Sequence, residues 1–185
     1  MRELLITLLI CLVASASATF GQEHPPASGA PQDNPLSAHN RMVYEYVKRN
    51  LLGSAEKMPE EDYSFKPTDA VRSYGQILGH VADAQYAVCS IVLGEQNPAP
   101  SIEKSKTTKA ELVAAIKDSC TYCDKAYAGM TDVSGVEMVT LLGHKMPKLG
   151  ALNMNNIHAM EHYGNLVTYM RMKNIVPPSS DRGSR

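Results

Sequence analysis

The stretch NNIHAMEHYGNLVTYMR, residues 155–171, sets His158 and His162 four positions apart, with Glu161 just before the second. On a helical wheel of about 100° per residue the two histidines lie only about 40° apart, and roughly one turn separates them along the axis. Both rings can then reach one ion over that face. Imidazole is a common ligand for transition-metal ions, so the spacing points to metal chemistry once a third ligand is found. Asn155, Asn165 and Tyr169 fall on the same stripe, which makes it more polar than a helix face that packs in an interior.

His80 is the candidate for that third ligand. Ser73, Ile77, His80, Ala84, Ala87 and Ile91 follow the three-and-four spacing of a buried helical seam, which turns His80 inward beside small residues that leave room. A buried imidazole needs a partner, either an ion or a hydrogen bond from another core group. A lone inward histidine is more often a satisfied core residue than a ligand. Three on two core-facing stripes favour a metal, while a metal-free arrangement of hydrogen-bonded histidines stays open.

HAMEH also spells H-x-x-E-H, the inverted zinc-protease motif, whose glutamate serves as general base. That chemistry needs a further acidic ligand well downstream, and after His162 the only acid is Asp181, in a Pro- and Ser-rich tail. Glu161 lies about 60° from His158 on the wheel. It could accept from an imidazole N–H or simply flank the site, and the acceptor role is favoured over binding the ion directly.

The elements that must position these residues are helices. Apolar spacing predicts one from Ser37 to Leu52, stopped by Gly53, and a second from Ala70 to Leu93, capped by Thr68 or Asp69 and stopped by Gly94. A third is expected over Thr108–Met130, where Thr108 and Glu111 have capping-box spacing, and a fourth over Ala151–Asn174, ahead of Pro177 and Pro178. No run shows sustained strand alternation. The fold class is therefore all-α, a four-helix bundle over residues 36–180, with 181–185 as a tail. The link after Gly94 is long enough to cross the bundle, which allows the second and third helices to run parallel.

Residues 63–89, YSFKPTDAVRSYGQILGHVADAQYAVC, and 157–180, IHAMEHYGNLVTYMRMKNIVPPSS, resemble the DinB-like (DinB/YfiT-like) superfamily of metalloenzymes. The likeness rests on the Phe-x-Pro entry to the second helix, the Gly-His pair within it and the paired histidines of the last helix. It implies an up-down-down-up bundle holding a divalent metal through His80, His158 and His162. Zinc, nickel and manganese have all been associated with the fold, and its members include thiol-dependent S-transferases and isomerases. The expected function is thus a metal-dependent transferase or hydrolase acting on a small molecule. The alternative is a non-catalytic or stress-related binding protein that the ion stabilises.

Composition narrows the partners. The 185 residues are 44% hydrophobic, enough for one well-buried core, and 18 basic against 19 acidic residues give a net charge of −1 without long charged blocks. Neither a nucleic-acid footprint nor a polybasic membrane patch is visible, which leaves a small molecule or another protein, including a second copy packed on Met160, Tyr163 and Val167. Residues 1–18 read as a secretory signal: Arg2 and Glu3, an apolar run from Leu4 to Val13, then Ala16-Ser17-Ala18 at the cleavage site. With the signal removed no membrane insertion is expected, and residues 19–35 form a Pro- and Gly-rich lead-in. Export permits disulfides. Cys89 lies on the opposite side of the second helix from His80, where it could bridge to Cys120 or Cys123, although burial of these thiols as small hydrophobes is the simpler alternative.

Overall fold

The computed structural model describes residues 34–181; the expected signal peptide, most of the lead-in and the end of the tail lie outside the described residues. The protein is mostly helical. Its elements run α1 (Pro35–Lys57), α2 (Tyr74–Leu93), α3 (Ile102–Ser105), α4 (Lys109–Ala128), a hairpin of β1 (Met138–Leu141) and β2 (His144–Pro147), and α5 (Lys148–Met172).

Several boundaries differ from expectation for local reasons. The first helix does not stop at Gly53, because the buried repeat of Tyr44, Val47, Leu51 and Ser54 carries on across it. Gly53 is there for packing: a Cβ would meet Pro178 Cγ at 3.0 Å. The second helix is capped by Ser73, not by Thr68 or Asp69. The Ser73 hydroxyl accepts from the Gln76 N–H at 3.3 Å, and Gln76 Oε1 accepts from the Ser73 N–H at 2.8 Å. Gly94, at φ 72°, ends α2 as read, and Thr108 with Glu111 caps α4. The hairpin, its turn at Leu142 and Gly143 with both φ positive, corrects the expectation of no strands; its four-residue strands are too short for alternation to register. The short α3 also went unread.

The long helices pack α1 on α4 and α5, and α2 on the same two. Ser119 donates to Gln85 at 3.0 Å, and Cys123 faces Cys89 four residues further along both chains, so α2 and α4 run the same way. Arg72 meets Tyr169 and His80 meets His158, so α2 and α5 run oppositely. The seam of α2 is broader than the predicted stripe. Leu78, Val81, Ala82, Gln85 and Cys89 are buried, whereas Ala84, Ala87 and Ile91 are only half-buried and His80 sits at the rim. With neighbours on several sides, α2 buries most of its circumference.

Cys89 and Cys123 form a disulfide with Cα atoms 5.3 Å apart, and Cys120 is a free, buried thiol. Burial pushes the Cys120 thiol up to about 12, which keeps it protonated and unreactive. The bridge closes a sequence separation of 34 residues. Cross-linking a loop of that size stabilises by about 3–4 kcal/mol. Urea unfolding of the Cys89→Ala/Cys123→Ala protein is expected to show a loss of that order, and an unchanged midpoint would contradict it.

Candidate metal centre

Helix α5 is rotated into place by a buried polar network. The Tyr127 hydroxyl donates to Asn156 Oδ1 at 2.8 Å and accepts from Asn155 Nδ2 at 3.1 Å, while Asn156 Nδ2 donates to the Asn40 carbonyl at 3.1 Å. Buried amides hold a helix in one rotation because slippage would leave them unsatisfied. One turn further along, that rotation aims His158 and His162 at α2. The polar stripe of the sequence thereby divides its labour: Asn155 locks the helix, Asn165 faces His162, and the Tyr169 hydroxyl donates to the Arg72 carbonyl at 2.9 Å.

The three predicted ligands come together. His158 Nε2 lies 3.1 Å from His80 Nε2 and 3.1 Å from His162 Nε2, and the ligand atoms of all three lie within 4.8 Å of one another. An imidazole nitrogen offers either one proton or one lone pair. His158 Nε2 therefore satisfies only one of its two neighbours by hydrogen bonding, whereas a cation among them would use all three lone pairs. Metal–nitrogen bonds of about 2.0–2.1 Å put adjacent ligand atoms roughly 3.0–3.4 Å apart, so two of the separations suit a divalent ion. The residues fit the group.

A carboxylate outside the predicted set orients the first ring. Glu103 Oε2 is 3.2 Å from His80 Nδ1, and Glu103 Oε1 accepts from Arg72 Nε at 2.9 Å. A proton held on Nδ1 by Glu103 leaves the His80 Nε2 lone pair facing the other rings. Short α3 delivers this residue. The Asp83 carboxylate accepts from the backbone N–H groups of Ile102 at 2.7 Å and Glu103 at 3.0 Å, and Gly79 clears the way, since a Cβ there would meet Glu103 Cα at 2.7 Å. Glu161, expected beside an imidazole, is exposed and lines the cleft instead. Nothing in the sequence flags Glu103, which sits in a Pro-rich link far from any histidine; the Gly79-His80 pair is the one hint of a close approach.

Burial favours the neutral form of His158 and His162. Burial, then the neighbouring His158 and His80, holds His162 down to about 4, and burial followed by His80 lowers His158; the Glu161 charge opposes both shifts. Neutral imidazole is the ligating form. Of the triad, His162 lines a polar cleft of about 720 Å³, together with Asn165, Glu161, Arg72 and Glu103.

A family model for the DinB superfamily matches residues 44–166. The chain belongs to the DinB superfamily. It is 24% identical over 140 residues to the protein YjoA of Bacillus subtilis (strain 168), covering 71% of this chain and 88% of YjoA. Among solved structures it is similar to a DinB-like protein from Bacillus cereus ATCC 10987, with a TM-score of 0.68 at 15% identity over 76% of this chain and 95% of the other. The crystal structure of YjoA gives 0.60 at 20% identity over 80% and 99%. A mycothiol-dependent maleylpyruvate isomerase gives 0.59 at 14% identity over 70% and 60%.

Two outcomes follow from the site. Glu103→Ala frees the His80 ring to turn, so metal affinity measured by chelator competition should fall about tenfold to a hundredfold while the fold persists. In the metal-free protein, His158 and His162 titrate below the ordinary imidazole value of 6.5. Between that value and about 4 the unfolded chain binds more protons than the folded one, so stability rises with pH across this window and is lost on acidification. Urea midpoints of chelator-stripped protein should drop from pH 7 to pH 5, and the drop should shrink in His162→Gln.

Proposed function

We propose that this protein is an exported metalloprotein that holds a divalent ion through His80, His158 and His162 and uses it for transferase or hydrolase chemistry on a small molecule. The observation that carries the proposal is the convergence of three imidazoles, their ligand atoms within 4.8 Å of one another, with His162 lining a polar cleft. The helix directions support reading α1, α2, α4 and α5 as an up-down-down-up bundle, with the ligands on two facing members. An all-imidazole donor set suits zinc or nickel better than manganese.

A divalent ion on three neutral ligands keeps its full charge and lowers the pKa of a bound water or thiol toward neutrality. The chain's own residues prepare for this. Glu103 fixes the tautomer of His80, burial keeps His158 and His162 deprotonated, and Arg72 pairs with the Glu103 carboxylate on the cleft wall. A purely structural ion would want a fourth protein ligand. Glu161 is exposed and stands outside the three-histidine group among the described residues, which favours an open site. The mycothiol-dependent isomerase among the structural neighbours makes thiols one class to try as substrates.

Export is supported by the signal-like pattern of residues 1–18 and by the Cys89–Cys123 bridge, since disulfides persist in oxidising compartments. Elemental analysis of protein purified without an affinity tag should give about one divalent ion per chain. His80→Ala and His158→Ala should each remove most of it, and a His80→Ala protein with its full metal content would sink the proposal.

A further inference from the structure

A second cleft, of about 730 Å³, adjoins the one beside the histidines and shares Lys66, Arg72, Gln76 and Glu103 with it. Its charge is lopsided. Lys66, Arg72, Lys104 and Lys106 line it against the single carboxylate of Glu103, on a chain whose net charge is −1. Glu103 is already engaged by Arg72 and His80. Lys66 pairs with Asp69, which lines the adjoining cleft, and Lys106 reaches Glu111 only at 3.7 Å, while that carboxylate also accepts from Thr107 and Thr108. Lys104 is exposed and has no ion pair among the described residues.

The backbone adds to the imbalance. Because α2 and α4 run the same way, their positive ends lie at the same end of the molecule. The cleft touches both: Ser73 and Gly75 open α2, and Thr107 precedes α4. Helix N-termini favour negative charge, and although Glu111 occupies the first turn of α4, Lys104 stands beside them with no ion pair among the described residues and Lys106 with only a long one. The cations begin one carboxylate away from the triad, along the chain Arg72–Glu103–His80.

Resting on the metal-site reading, we propose that this cleft is an anion subsite for the substrate: the small molecule carries a carboxylate or phosphate held by Lys104 and Lys106 while its reacting end faces the histidines. Arg72 and Lys66, on the wall common to both clefts, guide the connecting part. This assigns the substrate class as anionic, and gives roles to residues that ligate nothing.

The test titrates metal-loaded full chain by calorimetry with inorganic phosphate in one arm and succinate in the other, at low salt. The Lys104→Ala/Lys106→Ala protein serves as the comparison. Both lysines are exposed, so the variant should fold, and its thermal midpoint and metal content provide the check. The expected result is binding in at least one arm that weakens about tenfold in the variant with metal content unchanged, the arm identifying the group. A charge-reversed Lys104→Glu/Lys106→Glu protein should bind neither probe. A metalloprotein whose affinity ignores the lysines, or that binds neither probe, keeps the metal reading and overturns the subsite. Lysine-dependent binding by a chain that takes up no metal overturns the metal reading, and with it the pairing of subsite and triad.

Discussion

One imidazole nitrogen cannot satisfy two others, and the rest of the site depends on that constraint. His158 Nε2 lies at hydrogen-bonding distance from two rings at once. Its other nitrogen, Nδ1, is buried without a hydrogen-bond partner among the described residues. Folding that delivers such a cluster has placed neutral, partly desolvated lone pairs against one another, which costs stability unless something positive shares them. The depressed proton affinities of His158 and His162 express the same cost. A proton is a poor answer for this cluster, and a divalent ion is a good one.

Meeting the constraint takes more chain than the three ligands. The Asn155, Asn156 and Tyr127 network sets the rotation of α5. Ser73 and Gly94 fix where α2 starts and stops, and hence the height of His80. The single turn of α3, pinned by Asp83 and admitted by Gly79, brings a carboxylate to the outer edge of the His80 ring. Each of these is local and satisfiable alone, and the triad is where they meet.

Much of this could be read from the residues. Helical spacing placed His158 and His162 on one face, and both the Thr108–Glu111 box and the Gly94 stop act as their chemistry dictates. What escaped was set by tertiary contact. Gly53 looks like a terminator locally, but its missing side chain makes room for Pro178. Thr68 and Asp69 are plausible caps, yet Ser73 has the reciprocal partner in Gln76. Glu103 carried no signal because its role exists only once a Pro-rich link folds back over Gly79. Glu161 lies only about 60° from His158 on the wheel, yet the packing of α5 leaves that flank exposed to solvent.

The disulfide and the histidines sit on opposite sides of α2, and together they make that helix the middle link of a chain. Cys89 ties it covalently to α4, and His80 faces ligands carried by α5. Beside the imidazoles, α2 and α5 are held by shared apolar packing and by the Tyr169–Arg72 hydrogen bond at the entry to α2. The two fastenings differ in kind, one a covalent bond and the other a cluster of lone pairs that a cation could share. The covalent fastening can therefore form whether or not the imidazoles are bridged, and α2 can be tied to α4 while its seat against α5 still loosens.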